Sequence, residues 1–98
     1  MPGDREVILR FEMGCTPADF GQRLAALADV DYDAARAQFD HIEAGRRWSV
    51  RLIDPRQRRI ARLRLPVVDV EFTFHSYELD EIDAFMRRFH AHFRRGGG

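Results

Sequence analysis

The chain contains no lysine and no asparagine, a single cysteine, and only two serines and two threonines. Without lysine there is no Schiff-base chemistry, no phosphate-loop lysine and no lysine acetylation. Hydroxyl nucleophiles are nearly as scarce. Cys15 alone cannot form an internal disulfide or a cysteine-built zinc site within one chain, a pattern that fits a reducing compartment. Long apolar runs are missing too. Val7 to Phe11 is too short for a signal-peptide core or a membrane span, and acids sit in the first six residues where a signal peptide would be basic. The expected location is cytoplasmic.

What is present points to one folded domain over residues 1–98, with frayed ends at 1–5 and 96–98. Hydrophobic residues make up 45% of the chain against 33% charged, a balance that favours a core over disorder. Eight phenylalanines and one tryptophan supply the bulk for that core.

Hydrophobic periodicity gives the elements. Val7, Leu9, Phe11 and Met13 alternate with polar or exposed positions, the signature of a half-buried strand. Thr16-Pro17-Ala18-Asp19 reads as an N-cap, a first-turn proline and an N3 acid, opening a helix with Phe20, Leu24, Leu27 and Ala28 on one stripe. A second helix is expected from Asp31 or Asp33, carrying Ala35, Phe39 and Ile42 and stopping at Gly45, with an extended Gln38 to Glu43 as the alternative. Period two returns with Trp48, Val50 and Leu52 pointing inward. Asp54-Pro55-Arg56-Gln57 is expected to be a turn, bringing Arg59 to Leu65 back antiparallel. The apolar positions are odd before Pro66 (Ala61, Leu63, Leu65) and even after it (Val68, Val70, Phe72, Phe74), which implies two strands or one kinked strand. A last helix carries Ile82, Phe85, Met86, Phe89 and Phe93, with Asp80 and Asp83 near its start. The expected fold class is α+β, in the order β-α-α-β-β-β-α. Its antiparallel sheet would have three to four strands, with two to three helices on one face.

Charge is balanced in total but segregated along the chain. Residues 1–45 carry four Arg against nine acids, and residues 46–65 carry eight Arg against Asp54 alone. Those eight, Arg46, Arg47, Arg51, Arg56, Arg58, Arg59, Arg62 and Arg64, are the interaction candidates, since the guanidinium fork matches phosphate and carboxylate alike. A near-neutral pI and the absence of aromatics from the expected outer sheet face argue against nucleic acid. The plainer reading has Arg62 and Arg64 facing Asp69 and Glu71 across neighbouring strands.

Cys15 is the reactive-thiol candidate, because a helix start lowers a thiol pKa. Over Cys15 and Pro17 only, the junction resembles that of small sulfur-carrier proteins, although their Cys-Pro-x-Pro motif is absent. No cofactor is implied and no metal site is expected. His90 and His92 diverge on a helix, and Asp29, Asp31 and Asp33 lack the Gly and Glu of a calcium loop. Arg94-Arg95-Gly96-Gly97-Gly98 resembles the diglycine tail of ubiquitin-like modifiers, which are adenylated and conjugated at that end. Those modifiers carry the tail after a strand of a β-grasp fold, whereas here a helix precedes it, so Gly96 reads as a helix stop. With no nucleophile–base pair, phosphate loop or ligand cluster, the expectation is a non-catalytic domain acting through a protein partner or a homodimer. Ile8, Ile53 and Val67 lie off the core register as apolar interface spots. A thiol-dependent or small-ligand-binding protein using Cys15 and a cavity between sheet and helices comes second; nucleic-acid binding through the hairpin 46–64 comes third.

Overall fold

Alternation, capping and turn chemistry build five strands and two helices in a computed structural model that describes residues 5–96. The first strand, β1 (Glu6–Met13), follows the expected alternation, and Thr16 caps α1 (Pro17–Leu27) by accepting from the Asp19 amide at 3.1 Å. Phe20 and Leu24 of α1 are fully buried.

The second helix expected after Asp31 does not form. Residues 31–45 instead make β2 (Asp31–Asp33) and β3 (Gln38–Glu43), the latter spanning the residues of the extended alternative. Asp33 Oδ1 accepts the Ala35 amide at 3.0 Å, a side-chain turn that competes with helix. Ala37 is left-handed at φ 50°, and Ala44 and Gly45 follow at 51° and 77°. The last two form the two-residue loop that closes Glu43 against Arg46, so Gly45 is a hairpin residue and not a helix stop. Ile42, which a helical stripe would bury, is 69% exposed.

The expected turn at 54–57 is also corrected. β4 (Arg46–Ile60) runs straight through it, with a register shift between Ile53 and Arg56 and Asp54 at φ 52°. The reversal comes at Ala61 and Arg62, and β5 (Leu63–His75) is one strand through Pro66. Counting from the turn-closing pair Ile60–Leu63, Pro66 falls at a pair that does not exchange hydrogen bonds with β4. Its missing N–H therefore costs that ladder nothing.

All pairings are antiparallel and the strand order is β1-β5-β4-β3-β2. The sheet has more strands than expected and the helices number two. Helix α2 (Leu79–Gly96) opens with a capping box, the Glu78 amide donating to Glu81 Oε1 at 2.9 Å. Both helices pack on the face carrying Trp48, Val50, Val68, Val70, Phe72 and Phe74, tied together by Arg23 Nη1 donating to the Phe93 carbonyl at 3.3 Å. The expected tail residues Gly97 and Gly98, and the first four residues, lie outside the described residues.

Pairing with β1 reaches only Val68 of β5, and pairing with β3 reaches only Arg51 of β4. Beyond these points the two strands continue alone as a ribbon, Arg56–Ile60 against Leu63–Val67, projecting about 17 Å at ~3.3 Å per residue. The radius of gyration is accordingly 14.3 Å, against ~12.6 Å for a compact chain of this length. The parity change at Pro66 now has a physical meaning. In the body, β5 turns its even residues to the helices; in the ribbon, the apolar residues are the odd ones, on the opposite face.

Candidate functional site

Two places concentrate groups beyond what the core requires. The first is the ribbon. Directly paired residues share a sheet face, so Ile60, Leu63, Leu65 and Arg58 lie together on the side away from the helices. Ile60, Leu63 and Leu65 are 52%, 62% and 42% exposed. At the root, Arg56 Nη2 reaches Glu12 Oε2 at 2.7 Å and Asp69 Oδ1 at 3.1 Å, while Arg58 Nη2 reaches Glu12 Oε1 at 2.7 Å. Arg59, Arg62 and Arg64 have no carboxylate partner among the described residues. The basic tip is thus left unneutralised.

The eight candidate arginines do not form one patch. Arg46 and Arg47 lie at the far end of β4, about 45 Å along an extended strand from Ile60. Arg51 reaches Glu71 at 3.6 Å, and Arg10 holds the same carboxylate at 2.5 Å. The expected pairing of Arg62 and Arg64 with Asp69 and Glu71 is therefore replaced: Arg62 is in the turn and Arg64 stands opposite Arg59. Val67, expected as an exposed apolar spot, is buried at 5%, whereas Ile8 is half exposed.

The second place is a cavity of about 470 Å³ between α2, the end of α1 and strands β3 and β4. Trp48, Phe74, Tyr77 and Phe85 give it aromatic walls, and His41, Glu43, Arg46, Glu81 and Arg88 give it charge. Arg46 lies 4.5 Å from the Tyr77 ring centroid and pairs with Glu81 at 2.6 Å and Glu43 at 3.7 Å. The Glu78 amide and then Arg46 hold the Glu81 carboxyl below its ordinary range. His41 stacks on Trp48 with centroids 5.1 Å apart, its Nδ1 2.6 Å from the Asp29 carbonyl and its Nε2 3.1 Å from Glu43 Oε1. Burial pulls the His41 pKa down, but these two acceptors together outweigh it and the net shift is upward.

That shift carries a stability signature. A raised folded-state pKa means that the His41 contribution is complete below the ordinary value of 6.5 and is lost as pH rises through the folded value. Thermal melts across this window should fall with rising pH in the native protein, and a His41→Gln variant should lose that slope.

Cys15 is half-buried and does not line this cavity. Burial and then Asp19 push its thiol pKa up against the weaker pull of Arg23, opposite in direction to an activated thiol. His75 faces Glu6 at 3.5 Å, and His92 Nε2 lies 2.8 Å from the Arg23 carbonyl. Among the described residues no three His, Cys, Asp or Glu are grouped to hold a metal ion, and no helix is long and apolar enough to cross a membrane. Sequence reasoning nominated Arg46 but missed its cavity neighbours, which come from the end of α1, β3, β4, β5 with the loop after it, and α2. Only the Glu78-x-x-Glu81 capping box was readable in advance.

A family model described as archaeal MoaD-like protein matches residues 14–98, which is everything after β1. The chain belongs to the archaeal MoaD-like family. No curated protein and no solved structure matches it. In this MoaD-like chain the described sheet has no parallel pair, and Gly96 is the last residue of α2.

Proposed function

We propose that the domain is a non-catalytic assembly module that pairs with a second copy of itself through the projecting ribbon. The observation that carries the reading is the face switch at Pro66, which gathers Ile60, Leu63 and Leu65 into one exposed strip on the side away from the helices. An exposed apolar strip of this kind, with Arg58 on the same face, Arg62 in the turn and Arg59 and Arg64 on the reverse face, suits an acidic surface with an apolar centre. The same chain offers one. The sheet edge opposite β1 alternates Asp31 and Asp33 on the face away from the helices with Tyr32, 56% exposed, which turns the other way onto Phe39; Asp29 precedes them. Two copies can exchange ribbon for edge reciprocally, a closed two-fold arrangement. Zero net charge removes the long-range repulsion that would oppose it.

Sedimentation velocity from micromolar to millimolar protein tests this reading. The expected result is a dimer at the upper end that weakens as salt shortens the screening length below about 8 Å. A monomer throughout, or a dimer indifferent to Asp31→Asn with Asp33→Asn, would overturn it. Tight, salt-dependent binding of an oligonucleotide by the monomer would move the ribbon to nucleic acid instead.

A further inference from the structure

We propose that the cavity between α2 and strands β3 and β4 is a binding site for a small planar organic anion, an aromatic carboxylate in its simplest form. The inference stands apart from the assembly reading, since the cavity lies at the end of the sheet away from the ribbon.

At about 470 Å³ the cavity is in the range that holds small ligands. Its walls offer aromatic surface to an apolar body: Trp48 and Phe85 pack directly on each other with centroids 5.0 Å apart, and Phe85 is only partly buried although it belongs to the apolar stripe of α2. The polar groups decide the charge of the ligand. Trp48 is 3% exposed and its indole N–H has no acceptor among the described residues. No buried, unpartnered side-chain nitrogen or oxygen is sealed from solvent there, so the open sliver of Trp48 includes that N–H. The Tyr77 hydroxyl, on a residue 9% exposed, is likewise unbonded and open. Both residues line the cavity, and each carries a donor that no group of the described residues uses.

The charges point the same way. Glu81 and Glu43 are already engaged, the first by Arg46 and the Glu78 amide, the second by His41 and Arg46. Arg88 has no carboxylate partner among the described residues; its guanidinium sits 5.9 Å from the Phe85 ring centroid. Aromatic walls with nearby carboxylates can also make a cage for a cation. Here Arg46 already occupies the Tyr77 face and Arg88 approaches that of Phe85, so a cationic guest would meet two guanidiniums. An anionic ligand, by contrast, can pair with Arg88, whose charge no carboxylate of the described residues neutralises, and draw on donors of the same lining.

The single tryptophan makes the test direct, because its indole N–H gives one resonance in a ¹H–¹⁵N spectrum and Trp48 lines the site. Titration with 2-naphthoate should shift this resonance saturably, while 2-naphthalenemethanol and tetramethylammonium should leave it in place. Arg88→Gln, at an exposed helix position that the core does not use, should weaken naphthoate binding roughly tenfold with the spectrum otherwise native. No shift at millimolar naphthoate overturns the site. An equal shift with the neutral alcohol, a preference for tetramethylammonium, or unchanged affinity in the Arg88→Gln protein overturns its anionic class.

Discussion

Replacing Phe72 with alanine should destabilise the domain by about 3–5 kcal/mol, the usual cost of emptying a phenylalanine site that cannot collapse. Phe72 is fully buried in β5 and meets the rings of Phe11, Trp48, Phe74, Phe85 and Phe89, with centroids 5.1 to 6.1 Å away. These neighbours arrive from β1, β4, β5 itself and α2, so relaxation by one element leaves the other walls in place. A domain of this size has a total stability of about 5–15 kcal/mol, which puts the variant near its unfolding threshold. Urea denaturation of Phe72→Ala should give a midpoint reduced by about a fifth or more, and Phe72→Leu should fall between the two. A midpoint unchanged by Phe72→Ala would mean that the aromatic core does not hold the sheet to α2.

Removing the ribbon should have the opposite profile: large for association, small for stability. Arg56 and Val67 are a directly opposed pair two rungs below Arg58–Leu65 and four below the turn-closing Ile60–Leu63 pair, so they share its hydrogen-bonded type. They therefore accept a two-residue loop, and Asn-Gly inserted in place of residues 57–66 closes the shortened hairpin in a favoured turn. The excised residues contribute nothing to the buried core, whose strand members end at Leu52 and begin again at Val67. Melting should change by about 1 kcal/mol or less, while the dimer should dissociate at every concentration at which the full chain assembles. Collapse of the fold would show that the ribbon supports the body, and a persisting dimer would place the contact elsewhere.

The elements governed by side-chain period were legible in the sequence. The alternation at Val7–Met13, the Thr16 cap and the apolar stripe from Ile82 to Phe93 all rest on interactions within a few residues of one another. What was hidden turns on backbone conformation that the residue types do not advertise. A chain without asparagine, and with glycine at only one of these reversals, places Ala37, Ala44, Asp54 and Ala61 in left-handed geometry. Ala44-Gly45 consequently looked like the end of a helix, and Ala61-Arg62 looked like the middle of a strand. At Asp54-Pro55 the usual turn residues instead mark a bulge. The parity change at Pro66 was visible, but its cause was not, because the odd and even stripes serve opposite faces of one strand. The cavity was beyond reach for a different reason: its lining is assembled from five segments, and no spacing along the chain connects Trp48, Tyr77 and Arg88.

The strand order also sets a sequence of events in time. β2 through β5 form a meander in which each strand pairs with the next, so these contacts need only short loops to close. β1 is different: it must find β5 from the other end of the chain, Glu6 against His75 and Met13 against Val68. Closing so distant a pair costs chain entropy before any contact repays it. The meander is thus poised to form early with one flank of β5 uncovered, and the arrival of β1 becomes the late step. Until then the flank awaiting β1 is an open strand edge, the part of a folding chain most exposed to pairing with a neighbour.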